Sequence, residues 1–243
     1  MKAKTAAETP KNNNVYAKTC TLDSMHLGEF EELGIPVNQR VKSDGVAFLK
    51  TLPDHSIPCC FFDPQYRGVL DKMNYGNEGA RQKGRATLTQ MHTVTIGSFI
   101  YEIDRVLVPS GHLFLYVDKF HLVEGITSWF ECTDLEVVDL ITWNKERFGM
   151  GYRTRRMAEY LVVLQKSPKR AKGIWSVHNI PDVWSEKQMK DHPHSKPINL
   201  QSELIMAVTR RGDVVLDPAA GSFSVMKSAY AVGRHFVGCD LEG

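Results

Sequence analysis

"CCFFDPQYRG", residues Cys59 to Gly68, runs from four apolar side chains straight into a carboxylate, a proline, an amide and an aromatic ring. Asp is depleted in strands and costly to bury unpaired, so the stretch admits two readings. Asp63 and Pro64 can close a strand as ordinary turn residues, or the strand can carry a carboxylate, a free carbonyl and a ring to its end for chemistry. The surrounding periodicity sets the frame for that choice. "IPCCFF" reads as a strand buried on both faces, and "TIGSFIYEIDRVL" puts Ile96, Phe99, Ile100, Ile103 and Leu107 on one helical face. "PSG" then ends the helix and "HLFLYV" starts the next strand. Further on, "LVEGITSWF" reads as a helix, "LEVVDLITW" and "EYLVVLQ" as strands, "INLQSELIMAVT" as a helix, "DVVLD" as a strand, "SVMKSAYAV" as a helix and "HFVGCD" as a final strand. Strands alternating with helices imply an α/β domain, a doubly wound and mostly parallel sheet wrapped by helices.

Composition agrees with one globular domain. The 243 residues are 42% hydrophobic and 24% charged, with no internal repeat and no apolar run long enough to span a bilayer. The start, "MKAKTAAETPKNNN", has no apolar core of a secretory signal and reads as a mobile tail. Five scattered cysteines lack metal spacing and read as reduced, structural thiols in a cytoplasmic protein. His192 and His194 look like a metal pair, but no further ligands have suitable spacing, and no metal is assigned. A net charge of +2, from 30 basic and 28 acidic residues, does not by itself argue for nucleic acid. From about Lys166 to Pro197 the chain is rich in Lys, His, Pro and Trp and reads as an excursion from the sheet, in which Trp175 and Trp184 are packing residues.

In open α/β sheets, ligands bind beyond the carboxyl ends of the strands. Asp63 follows one such strand. "VVLDPAAGSF" ends a second in Asp217, Pro218 and a small-residue turn, and "HFVGCD" ends a third in Asp240. A tight turn lets backbone approach a ligand, and an acid ending the next strand can accept hydrogen bonds from ribose hydroxyls. A dinucleotide fingerprint is excluded, because Phe223 stands where G-x-G-x-x-G needs its second glycine.

Taken together, these motifs resemble the β group of amino DNA methyltransferases. "FFDPQY" is similar to their D-P-P-Y motif, "VVLDPAAGSF" to their D-P-F-x-G-S-G motif and "KPINLQSELIMAVTRRGD" to their K-P-x-x-L helix. "LITWNKE" followed by "AEYLVVLQK" resembles the last strands of the catalytic half, and "SDGVAFLKTLPDHSI" the segment before the catalytic strand, with Asp44 at its acid position. The likeness covers roughly residues 42 to 242, with the catalytic motif ahead of the cofactor motif. It implies a class I methyltransferase sheet of circularly permuted motif order, divided into a lead-in (1–40), a catalytic half (41–165), a small target-recognition excursion (166–197) and a cofactor half (198–243).

The resemblance also implies S-adenosyl-L-methionine as cofactor and adenine of double-stranded DNA as substrate. The catalytic residues would be Asp63, Pro64, Gln65 and Tyr66. The cofactor would lie among Asp44, Asp63, Lys196, Asp217, Pro218, Ala219, Gly221, Ser222, Phe223, Asp240 and Glu242. An adenine amino group is a poor nucleophile, since its lone pair is delocalised into the ring. Acceptors for its two N–H bonds, the Asp63 carboxylate and the Pro64 carbonyl, would let the nitrogen become pyramidal, while Tyr66 stacks on the extruded base. Gln65 departs from the family's second proline and frees one φ angle. Ala219 for Phe opens space near the cofactor, and Phe223 for Gly is expected to narrow the turn. The chain stops at Gly243, where relatives continue into a helix, which is expected to leave the pocket edge incomplete. Two alternatives stand beside this reading: the same chemistry on RNA or on cytosine N4, and a non-catalytic DNA-binding partner subunit. A homodimer is compatible with each. Basic loops are the expected DNA surface, with Arg81, Lys83 and Arg85 after the catalytic turn, Arg153, Arg155 and Arg156 before a strand, and "KSPKRAK" opening the excursion.

Overall fold

Every residue of strand β2 (Ile57–Phe62) is buried, and its side chains alternate between two cores. The computed structural model describes residues 20–65, 91–149, 153–187 and 196–243. Ile57, Cys60 and Phe62 join one core, with Leu113, Leu115 and Leu216 from neighbouring strands and Ile96, Phe99, Ile100 and Ile103 from helix α3 (Thr93–Val106). Cys59 and Phe61 join the other, with Phe114, Tyr116, Leu161 and Val163 under helices α5 (Ile198–Val208) and α6 (Ser224–Ala231). A strand covered on both faces must be apolar throughout, and this is why the quoted run carries no polar residue before Asp63.

The sheet has eight strands in the order β1-β8-β7-β2-β3-β5-β4-β6. The remaining strands are β1 (Val41–Lys42), β3 (Leu107–Val117), β4 (Leu135–Asn144), β5 (Ala158–Lys166), β6 (Val183–Ser185), β7 (Val214–Asp217) and β8 (His235–Asp240). Strands β1, β8, β7, β2 and β3 are parallel, whereas β5 is antiparallel to both β3 and β4. The pairing of Val117 with Tyr160 starts β5 where β3 ends. Asp63, the 145–157 connection, the turn after Asp217 and Asp240 therefore share one edge of the sheet, as expected of an α/β site.

Three local expectations are corrected. Leu107 is the first residue of β3 and not the last of the α3 face. "PSG" does not separate helix from strand but forms a bulge within β3: Ile57 pairs with Leu107 and Cys59 with His112, and Ser110 takes a φ of +65°. The segment "LVEGITSWF" is not one helix. A short helix α4 (Lys119–Glu124), its first turn capped by the Asp118 carboxylate, ends at Gly125 with φ +95°, and a 3-10 turn (Thr127–Trp129) follows. The excursion also returns to the sheet, because β6 pairs in parallel with Thr142, Trp143 and Asn144 of β4, while Trp175 and Trp184 pack against the second core. The described cysteines are unpaired; only Cys132 is exposed, and burial raises the thiol pKa of Cys59 and Cys60 well above the usual range. Among the described residues, no helix is long and apolar enough to cross a membrane.

Helix α2 (Gly45–Leu49) is capped by Asp44, whose Oδ1 accepts the Ala47 N–H at 2.8 Å. Its first residue lies hard against the opposite motif. A Cβ on Gly45 would fall 2.3 Å from the Pro218 carbonyl oxygen and 2.3 Å from the Phe99 ring. Gly45→Ala is therefore expected to destabilise the fold by about 1–3 kcal/mol, the usual cost of overpacking. Urea unfolding measures this, and an unchanged midpoint would show that the α2 contact yields freely.

Candidate active site

Asp63 emerges from β2 with its side chain 37% exposed, and its Oδ2 lies 2.8 Å from Nζ of Lys196. Lys196 precedes Pro197, the N-cap of α5, and its ammonium lies 2.9 Å from Oε2 of Glu159 and 4.4 Å from the Tyr116 ring centroid. The other oxygen of Glu159 pairs with Nζ of Lys145 at 2.9 Å. Two carboxylates and two ammonium groups thus alternate along the sheet edge, from the end of β2 to the end of β4. Burial alone would raise the pKa of Glu159, but the charges and hydrogen bonds of Lys196 and Lys145 outweigh it and hold the group down at about 2. Tyr116 is raised by burial, so its hydroxyl stays neutral.

A further carboxylate anchors the start of α5. Glu186 accepts the N–H groups of Asn199 and Leu200 at 3.0 Å each, together with the Trp184 indole N–H at 2.8 Å, while its own N–H donates to the Asn144 carbonyl. An anion there satisfies helix donors with no partner of their own and complements the helix dipole. Its effect is to fix the backbone next to Lys196.

The second strand end lies beside the first, since Cys60 pairs with Leu216. Asp217 is 6% exposed and accepts the Ala219 N–H at 3.1 Å. Burial, reinforced by the charges of Asp63 and Asp240, pushes its pKa up to about 8. The turn is fastened to β8 by two bonds: Ala220 N–H to the Cys239 carbonyl at 2.9 Å, and Gly221 N–H to Asp240 Oδ2 at 3.0 Å. Asp240 Oδ1 accepts the N–H of the exposed Glu242 at 3.0 Å. Pro218 is buried, Ala219 and Ser222 are half-buried and Gly221 is exposed.

Phe223 adopts a left-handed φ of +56°, as a glycine would, but does not narrow the turn as expected. Its ring is fully buried, edge-on to Phe236 at 6.0 Å and below the Arg40 guanidinium at 5.0 Å. Core burial offsets the strain of the left-handed backbone, and the mouth of the turn is lined by small residues.

Arg153 and Arg155 are exposed in the 145–157 connection, on the edge that carries Asp63; Arg155 donates to the Gly149 carbonyl at 2.7 Å. Arg156 is half-buried, its guanidinium 5.2 Å from the Phe120 ring centroid. The "KSPKRAK" run falls at the opposite edge, because Lys166 ends β5 opposite Leu135, and there Lys166 bonds the Asp104 carbonyl and Lys169 pairs with Glu136 at 2.6 Å. It is not part of this face. Tyr66, Arg81, Lys83, Arg85, His192 and His194 lie outside the described residues. Among the described residues, no group of three or more His, Cys, Asp or Glu is placed to hold a metal. Lys145, Glu159 and Glu186 were not singled out by the sequence reading. For Glu159 there was a signal: the residue is in phase with Leu161 and Val163, which line the second core, so it is an acid on a core-facing position.

A family model described as DNA methylase matches residues 57–243. The chain belongs to the DNA methylase family. This DNA methylase is 58% identical over 208 residues to the Type II methyltransferase M.HhaII of Haemophilus parahaemolyticus, across 84% of this chain and 91% of that one. It is 26% identical over 229 residues to the Type II methyltransferase M2.DpnII of Streptococcus pneumoniae, across 83% and 84%. Its fold matches the M1.HpyAVI–SAM complex, with a TM-score of 0.59 and 17% identity over 84% of this chain and 94% of the other. The cytosine-N4-specific PvuII DNA methyltransferase matches with a TM-score of 0.62 and 14% identity, over 84% and 81%. The expected class I methyltransferase sheet and DNA methyltransferase activity are borne out.

The raised Asp217 carboxyl makes stability depend on pH. Its folded pKa of about 8 exceeds the unfolded value, so the folded state holds the proton more tightly, and this contribution is lost as pH rises from about 4 through about 8. The difference in melting temperature between Asp217→Asn and the unchanged protein should therefore grow in favour of the variant over this window and level off above it. A pH-independent difference would mean that Asp217 does not titrate there.

Proposed function

We propose that this DNA methylase transfers a methyl group from S-adenosyl-L-methionine to the exocyclic amino group of adenine in double-stranded DNA, with the target base turned out of the helix. The observation that carries the reading is the placement of the Asp63 carboxylate and the Pro64 carbonyl at the end of β2, directly beside the small-residue turn after β7. Asp63 and Pro64 accept the two amino N–H bonds, which draws the nitrogen lone pair out of conjugation and aims it along the sheet edge. Tyr66 offers a stacking surface. S-adenosyl-L-methionine, when bound, supplies an electrophilic methyl group.

The turn suits such a cofactor. Ala219, Ala220 and Gly221 leave room for close approach, and each Asp240 oxygen already accepts one N–H and retains capacity for another donor such as a ribose hydroxyl. Asp44, Pro218 and Ser222 border the same cleft, and Phe223 supports it from beneath. Lys196 acts on Asp63 and Glu159 rather than on the cofactor in this reading, and positioning supplies much of the rate. The Type II designation of the relatives supports a role in restriction–modification. Asp63, in place of the serine of cytosine-directed enzymes, favours adenine. Transfer from labelled cofactor to DNA, with digestion to nucleosides, decides this: label in N6-methyladenine supports the reading, and label in N4-methylcytosine replaces it.

Asp63→Ala should abolish methyl transfer and leave cofactor affinity within a few-fold, because the carboxylate contacts the base. Full activity in the variant would remove Asp63 from the chemistry. Arg153 and Arg155 are proposed to meet phosphates flanking the turned-out base. Their joint replacement by alanine should flatten the dependence of log affinity on log salt by roughly 1.8, at about 0.9 per phosphate, with little change in melting temperature. An unchanged slope would place the DNA path along Arg81, Lys83 and Arg85.

A further inference from the structure

Glu159 contributes no atom to the cleft between Asp63 and the cofactor turn, yet it is the hub of the charges beside it. Each of its oxygens holds one ammonium, Lys145 at 2.9 Å and Lys196 at 2.9 Å, and the Lys196 ammonium reaches on to Asp63 at 2.8 Å. The three partners come from different elements: Lys145 follows β4, Glu159 lies on β5 opposite Trp143, and Lys196 leads into α5. Lys145 and Lys196 are both largely buried, with side chains 16% and 15% exposed.

We propose that Glu159 is a positioning residue for methyl transfer, dividing the Lys196 ammonium between two carboxylates so that Asp63 keeps an oxygen directed at the incoming amino group. This inference rests on the reading of Asp63 as the amino-group acceptor. The physical argument is competition. An ammonium has three donors and is drawn to whichever anion is nearest. With Glu159 in place, Lys196 is pulled toward β5, away from the cleft, while the Tyr116 ring beneath it favours the same cation position. Without that pull, the ammonium is free to centre on Asp63 and occupy the lone pairs that the adenine N–H bonds require. Lys145 is the counterweight, since it neutralises the second oxygen of Glu159 and fixes the orientation of the carboxylate.

The test is Glu159→Gln, which keeps shape and removes charge. At saturating cofactor and DNA, its single-turnover methylation rate should fall about tenfold or more, while dissociation constants for cofactor and DNA stay within about threefold, because the loss lies in alignment and not in binding. Lys145→Met should lower the rate in the same direction by a smaller factor. It serves as the deciding variant if Glu159→Gln melts well below the unchanged protein. An unchanged rate in the deciding variant overturns the proposal, and so does a loss that saturating cofactor restores, because Glu159 would then act on cofactor binding. The unchanged enzyme, assayed alongside with nucleoside identification, separates the two questions. Failure to label adenine there overturns the adenine reading, whereas loss confined to the variants bears on Glu159 alone.

Discussion

A carboxylate at the end of a strand buried on both faces needs a cation, and the Lys196 ammonium 2.8 Å from Asp63 supplies it. Much of the site's layout follows from that contact. For Lys196 to reach β2, helix α5 has to begin at the sheet edge, and Glu186 fixes it there by accepting two of its first N–H groups. For the ammonium to remain between two carboxylates, β5 has to start beside the end of β3, which the antiparallel β4–β5 hairpin achieves. A buried ion pair of this kind is weak evidence for stability, since desolvation offsets much of the attraction. Its value is geometric, because each charge has one low-energy position.

The two strand ends of the cleft divide the electrostatic work. Around Asp63 the dominant neighbour is a cation; around Asp217 it is low-dielectric protein, with Asp63 and Asp240 as negative neighbours, and the proton is retained to about pH 8. Neutral Asp217 avoids adding a third anion to the cleft, so the acid whose hydrogen-bonding reach faces the proposed ribose position, Asp240, is not repelled by an adjacent charge of its own sign. Pairs of acids whose environments push their behaviour apart are a recurring feature of sites in which each has a separate task.

Much of this was legible in the sequence. The doubly wound order could be read because apolar runs such as "IPCCFF" and "DVVLD" are bounded by polar turns, and the three acids at strand ends followed from the sheet rule. What the sequence hid has specific causes. Leu107 was assigned to α3 because a bulge at Ser110 keeps β3 continuous through residues that ordinarily break structure. The Phe223 turn looked obstructed because a left-handed backbone turns the ring inward, and a one-dimensional pattern does not record that direction. Glu159 and Lys145 become partners only through the register of β4 on β5, which no local pattern states. The "KSPKRAK" run has the composition of a nucleic-acid contact but is carried by an antiparallel strand to the opposite edge.

The span of the charge chain bears on how the enzyme assembles. Asp63 and Lys196 are separated by more than half of the sequence, and Glu159 reaches them only after the hairpin has docked on β3. The turn from Asp217 to Phe223 is closed by a strand that follows almost immediately. Because loop-closure entropy has to be overcome before distant pairings are rewarded, the cradle beside β7 can form early from neighbouring residues, whereas the acceptor beside β2 is complete only when nearly the whole sheet is in place. The chain is thereby ordered so that its reactive carboxylate acquires its working geometry among the last events of folding.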